Sequence, residues 1–218
     1  MALDGNTLRT RRTVERILAE SLRLFNARGE ANVTTATIAG ALEMSPGNLY
    51  YHFRNKERIV EALFERFEAR IDMDPQPSGG AAQAIEDLWL YLHLVLEAIW
   101  EYRFLYRNLD DLLARNRRLR DVFNRIIDHK LAAVDALCAD LVAAGAMRAT
   151  PEEIRVLARN VLVVATYWLN YQSIRKRRDD LSAADLGTGA HQVLSLVAPY
   201  LLGEARAHLD ALSRPYID

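Results

Sequence analysis

Apolar residues recur at three-to-four spacing from one end of this chain to the other, and no stretch shows the strict alternation and hairpin turns of a sheet. That pattern predicts an all-α protein. Before residue 73, Val14, Ile17, Leu18, Ser21, Leu22 and Phe25 form a first helical stripe, stopped by Arg28-Gly29. Thr34 or Thr35 caps a short second helix that carries Ile38, Ala39 and Leu42 inward. Ser45, followed by Pro46, starts a third helix, and Asn55 caps a fourth whose Ile59, Leu63, Phe67 and Ile71 lie on one face. Asp74-Pro-Gln-Pro-Ser-Gly-Gly80 then interrupts the pattern with two prolines and two glycines that no helix interior accepts. The expected organisation is a domain over 8–55, a connecting helix over 56–73, and a larger helical domain over 81–211. Within the last, helices are expected at 81–101, 103–113, 116–145, 151–178 and 183–209. Thr150-Pro-Glu-Glu153 and Ser182-Ala-Ala-Asp185 read as capping boxes at two of their starts.

Composition narrows the class. Half of the 218 residues are hydrophobic, enough for a sizeable core, and the net charge is only −1. Residues 1–70 nevertheless hold 11 Lys and Arg against 9 Asp and Glu, so any attraction for an anionic partner belongs to that end. The lone Cys138 excludes an internal disulfide and fits a reducing compartment. The first residues lack a basic patch followed by an apolar run, and no uninterrupted apolar stretch is long enough to span a bilayer. A cytoplasmic protein with no membrane partner is expected.

The segment Ser45-Pro-Gly-Asn-Leu-Tyr-Tyr-His-Phe-Arg-Asn-Lys-Glu57 carries the functional signal. Leu49 and Phe53, four apart, turn inward together. Asn48, Tyr50, Tyr51 and His52 cannot all be buried in one short helix, since successive residues point to different sides. The second and third helices, joined by a short turn and braced by the first, have the spacing of a helix-turn-helix. In such a motif the free N–H groups of a helix start, His52, Lys56 and the tyrosine hydroxyls suit phosphate oxygens. Thr35, Pro46, Gly47 and Asn48 suit base edges, asparagine pairing with adenine and small residues permitting close approach. Arg9, Arg11 and Arg12, ahead of the first apolar stripe, read equally as an arm toward DNA or as a solvated segment.

Through Thr34-Thr35…Ile38-Ala39 and Ser45 to Glu57, the sequence resembles the TetR family of bacterial transcriptional regulators over about residues 12–70. The resemblance implies a homodimer whose N-terminal domains bind a palindromic operator in double-stranded DNA, while a diverse C-terminal domain dimerises and binds a small-molecule effector. It places Tyr50, Tyr51, His52 and Lys56 at phosphate-contacting positions, and Thr35, Thr37, Pro46, Gly47 and Asn48 near bases. Thr34 and Ser45, at the two helix starts, complete the candidate set. One residue departs from the pattern. Glu43 stands where the family commonly has a turn glycine, and a left-handed glutamate costs roughly 1–2 kcal/mol.

The larger domain has no comparable motif. Its large aromatics, Trp89, Trp100, Phe104, Phe123, Tyr167, Trp168 and Tyr171, together with His93, are the candidate ligand pocket, because polar groups set among aromatics are costly unless paired or facing a cavity. Residues 154–171 are apolar nearly all round, which makes Val161 and Ala165 candidates for a dimer face. Leu194, Val197, Ala198 and Leu201 form a second stripe that serves either dimerisation or internal packing. The basic runs Arg175–Arg178 and Arg115–Arg120 read as solvated. A helical enzyme or metal carrier is the competing class. His-Glu-x-x-His, Glu-x-x-His, Gly-x-Ser-x-Gly and phosphate-binding glycine loops are all missing, so no catalytic residue, metal or cofactor is expected. A protein-only helical adaptor leaves the exposed Tyr51-His52 pair unexplained.

Overall fold

The computed structural model describes residues 5–73, 81–176, 181–182 and 184–214, so the 74–80 linker lies outside it. The helices are α1 (Gly5–Arg28), α2 (Thr35–Ala41), α3 (Pro46–His52), α4 (Lys56–Ile71), α5 (Ala81–Glu101), α6 (Arg103–Arg107), α7 (Leu109–Arg115), α8 (Arg117–Ala143), α9 (Pro151–Arg175), α10 (Ala184–Val197) and α11 (Gly203–Ser213). Among the described residues the extended backbone pairs only in an isolated antiparallel bridge between Met147 and Leu201. The fold is all-α.

The local start signals act as their side chains require. Thr34 caps α2 by accepting from the Thr37 N–H at 3.1 Å, and Asn55 caps α4 by accepting from the Arg58 N–H at 3.0 Å. Thr150 and Glu153 form a reciprocal box at the start of α9, at 3.2 and 2.7 Å. The bond from the Thr150 N–H holds the Glu153 carboxyl below its ordinary range. Two expected helices are broken instead. The 103–113 stretch divides at Asn108 into α6 and α7, and the 183–209 stretch divides at a 3-10 turn, Ala198–Tyr200, whose Pro199 cannot continue α10.

The chain forms two compact units, one of residues 1–69 with 102–119, the other of 70–101 with 120–218. This corrects the expected division at the linker, because α6 and α7 leave the second domain and join the first. The reason is aromatic burial. Phe104 is fully buried with its ring 5.2 Å from that of Phe25, and its N–H donates to the Asn26 side chain at 3.0 Å. Phe67 meets the rings of Tyr102 and Tyr106, each at 5.7 Å. Burial pushes the Tyr106 phenol far above its usual range, so the group stays neutral. Around these rings Ile17, Leu24, Ile38, Leu49, Ile59 and Leu63 complete the first core.

In the second unit α10 packs against α9 and α5, and α11 against α5. The α9–α10 approach depends on Gly189: a Cβ there would sit 2.6 Å from Trp168 Cδ1. Trp168 Nε1 donates to the Asp185 carbonyl at 2.8 Å, and the buried Asp185 carboxylate meets Lys176 Nζ at 2.7 Å and the Ser182 N–H at 2.9 Å. Val161, Ala165, Leu194, Val197, Ala198 and Leu201 are all buried within the chain. Internal packing thus takes up the α9 residues expected at a dimer face, and it is the alternative that the second stripe follows. The apolar residues that α9 leaves exposed are Val156, Val163, Tyr167, Tyr171 and Ile174.

Candidate nucleic-acid interface

The first unit presents α2 and α3 at right spacing for a helix-turn-helix, and the turn between them is closed by backbone hydrogen bonds. The Met44 N–H donates to the Ala39 carbonyl at 3.0 Å and the Glu43 N–H to the Gly40 carbonyl at 3.1 Å, the paired bonds of a Schellman ending. Such an ending needs a left-handed residue, and Glu43 supplies it with φ 53°. The expected strain is present. The turn keeps its geometry with a glutamate where glycine would be cheaper.

From that turn α3 runs with Ser45 as its cap, accepting from the Asn48 N–H at 3.2 Å, and Pro46 at its first position. Leu49 is fully buried and Phe53 nearly so, and these two anchor the helix. Its other residues face outward. Ser45, Pro46, Gly47 and Asn48 are exposed, Tyr51 is 80% exposed and His52 is half-buried, with the Tyr51 and His52 rings edge-on at 5.1 Å. A Cβ on Gly47 would meet nothing within 4 Å, so the chain's own packing does not require glycine there. The Tyr50 hydroxyl hydrogen-bonds that of Thr35 at 3.1 Å and so ties α3 to the start of α2. On α2 the Thr34 and Thr37 hydroxyls bond each other at 2.9 Å, which leaves both helix starts ordered and accessible.

Lys56 requires a correction. Its ammonium donates to the Glu30 carbonyl at 3.0 Å and lies 2.7 Å from the Glu30 carboxylate, whose side chain is 4% exposed. Arg115 approaches the other carboxylate oxygen at 3.5 Å. Lys56 is therefore a brace within the unit, with at most one of its three N–H groups left for phosphate. Sequence reasoning missed Glu30, because its partners lie 26 and 85 positions away and no local pattern marks it.

The expected ligand-pocket residues are divided between the two units, Phe104 in the first and the others in the second. Phe104 belongs to the first unit's core, Trp168 is locked between α9 and α10, and Tyr167 and Tyr171 are about half exposed. Trp89 and His93 stack on α5 at 4.1 Å, with His93 Nδ1 2.8 Å from the Trp89 carbonyl. Trp100 also lies on α5 and Phe123 is buried on α8, both in the second unit. Cys138 is buried, and that burial, with Asp135 nearby, pushes its thiol up to about 11, which leaves it a packing group. No described helix is long and apolar enough to cross a membrane.

Comparisons with known proteins divide the chain linearly, with residues 102–119 in the C-terminal part. Residues 17–63 match the model for bacterial regulatory proteins of the tetR family, and residues 66–209 match a bacterial transcriptional repressor model of the same family. Among curated relatives, the HTH-type transcriptional regulator TcmR of Streptomyces glaucescens is 33% identical over 34% of this chain and 38% of its own length. TtgR of Pseudomonas putida, another HTH-type transcriptional regulator, is 29% identical over 58% of this chain and 54% of its own length. The chain thus spans about half or less of these two relatives. A solved TetR-family transcriptional regulator from Marinobacter aquaeolei is 37% identical, covers 94% of this chain and 98% of its own, and superposes with a TM-score of 0.81. Since the two family models together take in the α2–α3 face and most of the second unit, and a solved relative follows nearly the whole chain, the protein belongs to the TetR family of bacterial transcriptional regulators.

Proposed function

We propose that the protein is a cytoplasmic, non-enzymatic repressor that binds a palindromic operator as a homodimer and releases it when a small molecule occupies the second unit. The exposed Asn48 and Tyr51 and the half-buried His52, on a helix anchored by Leu49 and Phe53, carry this reading, since their side chains have no hydrogen-bond partner among the described residues. Asn48, Pro46, Gly47, Thr35 and Thr37 meet base edges, and Tyr50, Tyr51, His52 and the two helix starts meet phosphates. Paired copies set their α3 helices about 34–36 Å apart, one turn of DNA. Val156, Val163, Tyr167 and Ile174, which repeat along one side of α9 and stay exposed in the single chain, are the face for the second copy.

The effector reading is supported by four polar atoms of the second unit, Trp89 Nε1, Asp135 Oδ1, Asn170 Oδ1 and His191 Nδ1, which are buried without a hydrogen-bond partner among the described residues. A bound molecule with polar groups would satisfy such atoms. It would shift the two α3 helices only by preferring one arrangement of the dimer over another. The test is protection of a palindrome upstream of the protein's own gene from cleavage by the purified protein, followed by a small-molecule screen for release. Failure to protect any such duplex would overturn the operator reading. Retention of the full ligand response in Trp89→Phe, which removes the N–H and keeps an aromatic ring, would remove Trp89 from the effector site.

A further inference from the structure

We infer that α1 carries a second phosphate clamp, formed by Arg9, Arg12 and Arg16, which grips the DNA backbone beside the recognition helix; this rests on the reading that α3 faces DNA. The three residues fall at i, i+3 and i+7 and so share one face of α1. All are exposed. They line one wall of a cleft of about 880 Å³ whose other wall is the turn from Leu42 to Ser45 together with Asn48, Tyr51 and His52. Thr10 and Thr13 lie among them, and Glu43 is the lone carboxylate of the lining.

Charge pairing separates these arginines from others of the same unit. Arg23, Arg58, Arg66, Arg115 and Arg118 each meet a carboxylate, Glu20, Glu61, Glu15, Asp111 and Glu65 in turn. Among the described residues Arg9, Arg12 and Arg16 take part in no ion pair, and Glu15, the acid nearest to them in sequence, is turned to Arg66. Their placement is also unfavourable for the isolated helix. Arg12 and Arg16 are like charges four apart, a pairing that weakly destabilises the helix. An anion in the cleft reverses that penalty. A guanidinium fits phosphate through two parallel N–H bonds, and the cleft adjoins the side chains that read the groove, so the anion is the phosphate backbone flanking the bases that α3 contacts. Such contacts add affinity and register without base preference.

The experiment uses the full chain with Arg9→Gln, Arg12→Gln and Arg16→Gln combined, and measures binding to the operator and to a scrambled duplex across a salt series. Each phosphate contact contributes about 0.9 to the slope of log K against log salt on B-DNA, so the triple variant, which removes three contacts from each copy of the dimer, should lose about 5 from that slope. Its affinities for operator and scrambled duplex should fall by the same factor, which leaves their ratio unchanged. Lysine at the three positions should keep most of the slope. If the wild type binds the operator and the glutamine variant shows the same slope, the clamp is overturned while the operator reading stands. A cleft that took only small phosphate compounds would give that same null slope change. Loss of slope with lysine as well as glutamine, with a lowered melting temperature, would mark a fold defect and also overturn it. Absence of duplex binding by the wild type would remove the operator reading and the clamp together.

Discussion

At residue 43 the chain holds a glutamate in a conformation that favours glycine, and it does so at the turn that aims α3. Glu43→Gly should therefore stabilise the protein by about 1 kcal/mol, the left-handed penalty less the extra freedom of the unfolded chain. A melting curve checks this, and an unchanged or lower midpoint would show that the glutamate is not strained. The same change removes a negative charge from the cleft beside Asn48, so duplex affinity should rise as well. Lys56 is the opposite case, a residue whose loss should cost stability first. Truncating one member of a buried ion pair costs about 3–5 kcal/mol, and since Lys56 is 22% exposed, Lys56→Ala should fall near the lower end, about 3 kcal/mol by urea unfolding. A variant as stable as the parent would return Lys56 to the phosphate-contacting set.

Among the elements, those that announce themselves locally were legible in the sequence. Thr34, Ser45, Asn55 and Thr150 each cap the helix they precede, because a short polar side chain and the N–H it satisfies lie within three residues of each other. The outward set on α3 was legible for the same reason, since Leu49 and Phe53 fix which side is inside. What the pattern could not give was the destination of an apolar face. The stripes on α9 and α10 were visible, but their burial against each other, rather than against a second copy, depends on Gly189 admitting Trp168. Gly189→Ala should thus destabilise the second unit by about 1–3 kcal/mol through overpacking, measured by urea unfolding, and no loss would mean that Trp168 has room to retreat. Pro199 was a stop signal that helical periodicity overran, and Glu30 carried no signal at all, because its partners are distant in sequence.

For the whole molecule, the exposed line of Val156, Val163, Tyr167 and Ile174 on α9 sets the expected assembly. Val163→Glu combined with Ile174→Glu should leave a folded monomer in sedimentation that binds a half-site weakly and loses tight binding to the palindrome; an intact dimer would move the interface elsewhere. The course of the chain between its two units has a consequence of another kind. Residues 102–119 supply Phe104 and Tyr106 to the core around Phe25 and Phe67, so the unit that carries α3 is not a continuous piece of the polypeptide. A fragment ending at residue 73 would open that core to water. Recombination that joined this head to a foreign effector domain would succeed only where the incoming domain returned an equivalent aromatic segment, so the two halves of such a regulator must be inherited, or engineered, as a matched pair.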